Sequence, residues 1–354
     1  MATSIPNKQK ALVLPAKNGQ FVMEEVDVPT LAPGEVLVRA DAIALNPADY
    51  MVQDRDIFNS AYPLILGWEA AGVVVQLGEG VTSLAVGDKV LHPALFWEGY
   101  PAFRLYNSIP ADLCGKIPSN VTVDQAASIP LALDTAVLGL YVTPGRRGGA
   151  NLTPPWQEGG RGKYKGQPVF VFGGAGAVGQ MVIQLCKLSG FSPIIATASL
   201  KNEQYLKSLG ATHVIDRNVP TSSLPDIVKG ITKEPIPVVY DTVSSEETQN
   251  AGYDILASDG TLLLVFQRVQ VAEDKLSAGK LISSVSGSPW LPDRRRLSAE
   301  LYENVTAMFE SGELKPNHIE ILPNGLAGVS AGLDRLRKKE VSAKKLIIRP
   351  QDTP

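Results

Sequence analysis

The chain has 354 residues, a formal net charge of −3, and 44% hydrophobic against 19% charged residues, the profile of an ordinary soluble globular protein of about two domains. No apolar run approaches the ~20 residues of a membrane span and the first ten residues are polar, so we expect neither a membrane helix nor a secretory signal. The basic clusters at 146–147, 294–296 and 335–339 are separated and balanced by acids, which suits solvated surface better than nucleic-acid contact, and two cysteines without a signal suggest a reducing, cytoplasmic setting.

Residues 9 to 107 alternate short β-branched runs, at 11–14, 21–23, 35–40, 72–75 and 89–91, with the turns Pro33-Gly34, Gly78-Glu79-Gly80 and Gly87-Asp88. That spacing predicts a β domain of short strands. A helical signal begins at Val123, over 124–128 and then 131–141, with Asp124 placed as a first-turn acid. The segment 144–166 has no periodicity and is loaded with Gly, Pro, Arg and Lys; a loop of that length is either functional or mobile.

At 169–172 the run Val-Phe-Val-Phe predicts a buried strand, and Gly174-x-Gly176-x-x-Gly179 opens a helix over 177–188. One glycine of such a pattern allows a tight turn, one lets backbone approach a pyrophosphate, and one lets helix and sheet pack closely. The helix N-terminus adds free N–H groups and the positive end of the dipole. Gly174, Ala175, Gly176, Ala177, Val178 and Gly179 are therefore read as a dinucleotide-binding turn. Strands at 192–198, 213–215, 237–240 and 261–266 alternate with helices at 202–209, 224–230 and 248–256. This places the turn in a doubly wound parallel sheet, whose ligand edge is formed by the strand C-termini. Helices at 297–311 and 327–338 and a strand at 345–349 follow.

The motifs Ala32-Pro33-Gly34-Glu35-Val36, Asn46-Pro47-Ala48-Asp49, Gly67-Trp68-Glu69-Ala70-Ala71-Gly72, Val86-Gly87-Asp88-Lys89-Val90, Ser128-Ile129-Pro130, the glycine turn and Ser208-Leu209-Gly210-Ala211 come in this order. In them the chain resembles, over nearly its whole length, the medium-chain dehydrogenase/reductase superfamily, and within it the zinc-independent quinone and enoyl reductases, most nearly the fungal enoyl reductases. The resemblance implies an α/β protein with a GroES-like β domain from 1–125 and 297–354, a Rossmann domain from 126–296, and an active-site cleft at their junction. It also implies contacts to a nicotinamide from Asn46, Asp49, Thr135, Asp241, Thr242 and Val265. Asn46 equally reads as an Asx turn before Pro47, and Asp49 as a buried hydrogen-bond organiser.

Zinc-dependent members of the superfamily place a cysteine where this chain has Asn46 and a histidine where it has Trp68. Cys114, Cys186, His92, His213 and His318 are spread along the chain with no CxxC and no pair at ligand spacing, so no metal is expected. Without a Lewis acid an alkoxide is hard to stabilise, whereas conjugate reduction spreads charge onto an enolate oxygen that hydrogen bonds can hold. NAD sites end the second strand in Asp or Glu; here 196–202 reads Ala-Thr-Ala-Ser-Leu-Lys-Asn. Ser199, Lys201, Asn202 and Arg217 suit a 2′-phosphate, which makes NADPH the expected cofactor. The other reading is that Lys201 faces solvent and Glu203 turns inward.

Tyr50, Tyr62 and Asn46 are the candidate catalytic residues, although either tyrosine is as readily a core aromatic. Some fungal enoyl reductases that the chain resembles carry a lysine where Met51 stands, so the proton donor stays open, water included. Aromatic walls are expected from Trp156 in the long loop, from Trp290, and from Trp68 with Phe96 and Trp97. They suit a small, apolar or planar unsaturated substrate. Three functions follow: NADPH-dependent reduction of an activated C=C bond in an enone, quinone or enoyl thioester; a zinc-free carbonyl reductase or alcohol dehydrogenase; and an NADPH-binding protein without turnover. Monomer and homodimer are both open.

Overall fold

A computed structural model describes residues 5–57, 61–145, 147–265, 268–277 and 279–354. Arg146 and Phe266, which figured in the sequence expectations, lie outside these residues. The chain divides into two compact units, one of Met1–Leu131, Ala299–Gly312 and Pro316–Pro354, the other of Ala132–Ser298 and Glu313–Lys315. No helix among the described residues is long and apolar enough to cross a membrane.

The first unit is mostly antiparallel β. Its seven-stranded sheet runs in the order His318–Ile321, Lys344–Ile348, Glu35–Ala44, Glu69–Leu77, Lys89–Pro93 and Gly115–Lys116, with Tyr106–Pro110 also paired to Glu35–Ala44. A three-stranded sheet sets Lys8–Leu14 between Val22–Asp27 and Leu64–Ile65. The C-terminal strand is thus built into the sheet of the N-terminal one, with Ile347 opposite Ala44 and Ile348 opposite Ile43. Further along the same register, Leu45 N–H donates to the Leu346 carbonyl (2.9 Å), which sets Lys345 against Asn46. Strands such as Leu64–Ile65 and Gly115–Lys116 are too short to show a period in sequence. The helix Pro47–Arg55 lacks an apolar face and forms because its start is well specified: Pro47 occupies the first turn and Asp49 Oδ2 accepts the Asn46 N–H (2.8 Å).

The second unit carries the expected parallel sheet. Its six strands run in the order His213–Asp216, Ile194–Ala198, Val169–Phe172, Ile236–Asp241, Leu256–Val265 and Leu281–Val285. Every neighbouring pair is parallel, so the strand C-termini share one edge. Phe170, Phe172, Val239, Leu262 and Leu264 fill the core against one face. The fifth strand starts at Leu256, directly where the helix Glu246–Ile255 stops, earlier than its apolar run suggests. The sixth strand is not anticipated: Ser283, Ser284 and an exposed Leu281 give an edge strand without the continuous apolar run of a central one.

The long loop departs from expectation. Gly162 N–H donates to the Leu188 carbonyl (3.0 Å) and Tyr164 N–H to the Ser189 carbonyl (2.9 Å). Tyr164 stacks on Phe191 at 5.0 Å, and Trp156 meets Tyr141 edge-on at 5.5 Å. The helix Ala177–Leu188 starts at the ligand edge, so its C-terminal end lies at the opposite edge of the sheet. Trp156 is therefore a packing residue far from the glycine turn, and not a wall of the ligand edge. Tyr164→Ala is expected to lose about 2 kcal/mol of stability in urea unfolding and to leave dinucleotide affinity unchanged. A loss of affinity without a loss of stability would return this loop to the site.

Candidate functional site

At the ligand edge Val169–Phe172 runs into the glycine turn, and Gly176 stands at the N-cap of Ala177–Leu188. A Cβ on Gly179 would lie 2.4 Å from the Gly173 carbonyl oxygen, and one on Gly174 2.8 Å from the Ala196 Cβ. These two glycines let helix, turn and sheet touch. On Gly176 a Cβ would meet, among the described residues, the Gly173 oxygen (3.2 Å) and Thr242 Oγ1 (3.9 Å) and nothing else within 4 Å. That side is open, and no side chain caps the helix, so the N–H groups of Ala177, Val178 and Gly179 are available to an anion. An open glycine above an uncapped helix start fits the pyrophosphate of a dinucleotide.

Three residues outside the motif brace this turn. Gly173 N–H donates to Thr197 Oγ1 (3.1 Å), Gln180 Nε2 donates to the Ala175 carbonyl (2.8 Å), and the Tyr205 hydroxyl donates to Gln180 Oε1 (2.8 Å). The one sequence signal for them is Gln180, a glutamine directly after the last glycine and buried in an apolar helix.

Ser199 follows Ile194–Ala198, and Lys201 and Asn202 lie in the turn Leu200–Asn202. Arg217 N–H donates to the Ala198 carbonyl (2.9 Å), which brings the end of the third strand to the same corner. Lys201 and Arg217 are both exposed there. The nearby acids are engaged: Glu203 pairs with Lys207 (2.8 Å), and Asp216 Oδ1 accepts the Asn218 N–H (3.0 Å). Glu203 does not turn inward.

Asp241 closes Ile236–Asp241. Its Oδ1 accepts the N–H groups of Val243 (2.9 Å) and Ser244 (2.7 Å), while Oδ2 has no hydrogen-bond partner among the described residues. Burial raises its pKa, opposed by the Ser244 N–H. Thr242 Oγ1 donates to the Phe172 carbonyl (2.7 Å), tying this loop to the glycine turn, and Val265 N–H donates to Ser244 Oγ (3.0 Å). Thr135 is buried; its carbonyl accepts the Tyr240 hydroxyl (2.6 Å), and a Cβ on Gly287 would sit 2.2 Å from its Oγ1. The second unit thus gathers its expected site residues along one sheet edge.

In the first unit, Asn46, Glu69 and Lys345 form a buried network. Lys345 Nζ donates to Asn46 Oδ1 (2.8 Å) and to Glu69 Oε1, Asn46 Nδ2 donates to Glu69 Oε1 (2.9 Å), and Leu131 N–H donates to Glu69 Oε2 (2.8 Å). Asp49 adjoins them, accepting the N–H groups of Asn46 (2.8 Å) and Gly67 (3.3 Å). Both ends of the Asn46 amide are occupied, which makes it an orienting group. Lys345 was not singled out in sequence. Its signal is a lysine beside the buried run Leu346-Ile347-Ile348, in a chain that must neutralise a buried Glu69.

The two tyrosines differ. Tyr50 lies beneath the Arg337 guanidinium, 5.4 Å from its ring centroid, and Arg337 is bonded to Asp54 (2.9 Å). This is a packing contact between two helices. Tyr62 is half-buried, and burial first and Asp56 second hold its phenol above the ordinary pKa.

Known proteins resemble the chain over nearly its whole length. The family models described as alcohol dehydrogenase GroES-like domain and zinc-binding dehydrogenase match residues 32–123 and 177–283. The trans-enoyl reductase himH of Aspergillus japonicus is 31% identical over 89% of each chain. A trans-enoyl reductase of Gibberella fujikuroi is 29% identical over 96% of this chain and 98% of its own. Among solved structures, human synaptic vesicle membrane protein VAT-1 homolog-like protein superposes with a TM-score of 0.75 at 25% identity, covering 98% of this chain and all of its own. CurK enoyl reductase shares the fold, with a TM-score of 0.75 at 20% identity over 97% of this chain and 99% of its own.

Two outcomes follow from the buried network. Lys345→Met leaves the Glu69 carboxylate buried without its counter-charge and is expected to cost about 3–5 kcal/mol in urea unfolding. The double variant Glu69→Gln/Lys345→Met recovers most of this, and a double variant no more stable than the single one would contradict the pairing. The second concerns pH. Burial pushes the Asp49 carboxyl up to about 8, above the ~4 of the unfolded chain, so its contribution is lost as pH rises towards 8. Burial lowers His92 to about 4, below the unfolded ~6.5, so its contribution is lost as pH falls through 4. Between ~6.5 and ~8 only Asp49 of these two titrates, and stability falls by up to roughly 1.4 kcal/mol per pH unit. Asp49→Asn should flatten that fall in urea midpoints; an unchanged slope in the variant would contradict the assignment.

Proposed function

The chain belongs to the medium-chain dehydrogenase/reductase superfamily, in its enoyl and quinone reductase branch, and from that premise we propose that it reduces an activated C=C bond with NADPH and without zinc. Its acceptor is an enone, a quinone or an enoyl thioester, a small apolar or planar molecule met in the cytoplasm. The observation that carries this reading is the Lys345–Glu69–Asn46 network. Asn46 and Trp68 stand where zinc-dependent members hold ligands, and the Lys345 ammonium already occupies the oxygens of Asn46 and Glu69. A divalent cation would meet a fixed positive charge there and no donor set suited to it, so the residues do not fit a catalytic zinc.

The dinucleotide supplies a hydride for the β carbon of the acceptor. Residues 174–179 hold its pyrophosphate at the open glycine. Ser199, Lys201, Asn202 and Arg217 hold the 2′-phosphate, at a corner where Glu203 and Asp216 are both engaged. Thr135, Asp241, Thr242 and Val265 position the nicotinamide end, Asp241 through its unpartnered Oδ2. Asn46 and Asp49, fixed by the buried network of the first unit, orient rather than react. Tyr62 is the side-chain candidate for proton donation to the α carbon, with water as the other route. Tyr50, engaged with Arg337, is the weaker donor.

The test is oxidation of NADPH by chelator-treated protein with an enone, a quinone, an enoyl thioester and a saturated ketone. Turnover of unsaturated acceptors is expected, and turnover of the ketone alone would replace this reading with carbonyl reduction. Cofactor binding with no turnover of any acceptor would leave a dinucleotide-binding protein. Lys201→Ala and Arg217→Ala should each narrow the preference for NADPH over NADH about tenfold in kcat/KM, the loss of one charge-assisted contact.

A further inference from the structure

Besides Lys345, the first unit buries a second cation, Arg104, which keeps 7% exposure. Burial alone draws its pKa down, to about 10, so the guanidinium is charged at neutral pH and no carboxylate offsets its desolvation. Its Nε donates to Asn107 Oδ1 (3.2 Å), while Nη2 has no hydrogen-bond partner among the described residues. A guanidinium only donates, so this bond fixes the Asn107 amide with its oxygen towards Arg104. Asn107 Nδ2, in a residue only 1% exposed, is likewise without a partner among the described residues. One hydrogen bond therefore joins two buried groups that each keep an unused donor.

The backbone that carries them is well paired. Arg104 bridges Ala11, Leu12 N–H donates to the Phe103 carbonyl (2.9 Å), and Asn107 lies opposite Val38 in the larger sheet. His92 is near enough to feel the guanidinium: burial lowers its pKa to about 4, and the Arg104 charge adds to this. Its Nδ1 faces the Pro93 carbonyl (2.8 Å), which only accepts, so the neutral ring keeps its lone pair on Nε2 and brings no charge.

No buried acid of this unit balances Arg104. Among the described residues these acids are Glu35, Asp49 and Glu69. Glu35 accepts the Tyr100 hydroxyl (2.5 Å) and the Ala32 N–H (2.9 Å), Asp49 accepts two backbone N–H groups, and Glu69 pairs with Lys345. The unit thus supplies one of its buried cations with a counter-charge and leaves the other without one. Burying a lone cation is strongly unfavourable unless charge and acceptors reach it. A water molecule would satisfy the donors and bring no charge.

We propose that Arg104 and Asn107 form an anion site inside the β domain, which holds one small monovalent anion of chloride's size as the counter-charge the chain does not supply. Nη2 and Nδ2 donate to it. The near-complete burial of both residues limits it to a small ion, and His92, with an acceptor nitrogen, is not a ligand.

The test measures the folding equilibrium constant by urea unfolding at ~1 and ~100 mM chloride, with sodium gluconate holding ionic strength constant so that general screening cancels. The constant is expected to rise about tenfold in the wild type, the response of a site with a Kd of about 10 mM. Arg104→Met removes the cation, and Asn107→Asp provides a carboxylate from the chain itself; each should abolish the rise. A rise that persists in either variant overturns the assignment. Diffraction from wild-type crystals grown in sodium bromide decides independently of any variant and of the size of the chloride response. An anomalous peak within hydrogen-bond distance of Arg104 Nη2 and Asn107 Nδ2 is expected, and a water molecule there without anomalous signal overturns the proposal.

Discussion

A lysine ammonium and a glutamate carboxylate are enclosed together in the first unit, and much of that unit depends on keeping them satisfied. Removing two charges from water costs several kcal/mol for each ion unless the remaining hydrogen-bonding capacity is met. Here it is met by segments far apart in sequence. Lys345 reaches Asn46 and Glu69, and the second oxygen of Glu69 takes the Leu131 N–H. One network therefore ties together the start of the helix Pro47–Arg55, the start of the strand Glu69–Leu77 and the C-terminal strand Lys344–Ile348. Asp49 sits beside it as a carboxyl that burial keeps protonated to about pH 8, which adds hydrogen bonds to the backbone without adding a second negative charge.

The second unit meets a different requirement, which is to leave polar groups unsatisfied on purpose. Gly176 is open on the side where a Cβ would fill space, the helix behind it has no capping side chain, and Asp241 keeps one buried oxygen without a partner among the described residues. Such features cost stability in an isolated protein and are stabilised by a bound ligand with matching charge. Around them every brace is complete, from Thr197 and Gln180 beneath the turn to Thr242 and Ser244 beside it. Rigid support with an incomplete edge is what a preformed dinucleotide site requires.

The parallel sheet and the glycine turn were legible because their signals are local: apolar runs of fixed length, and glycines whose spacing follows from the turn itself. That Ser199, Lys201 and Arg217 follow the ends of neighbouring strands could be counted in the same way, while their hold on a phosphate is a proposal. Lys345 was not, because its role depends on an antiparallel register between residues almost three hundred positions apart, which no window of sequence displays. The strand Leu281–Val285 escaped because an edge position relaxes the demand for a continuous apolar run. Trp156 misled in the opposite way. Its Pro- and Gly-rich surroundings looked like a loop at the ligand edge, yet the loop is fastened to the far end of Ala177–Leu188.

The central claim is that hydride is delivered to carbon of an activated double bond. The most direct test is to supply NADPH deuterated at C4 of the nicotinamide to the chelator-treated protein with an unsaturated ketone, and to locate the label in the product by NMR. The account predicts deuterium at the β carbon of a saturated ketone. Deuterium at the carbonyl carbon of an allylic alcohol would contradict it.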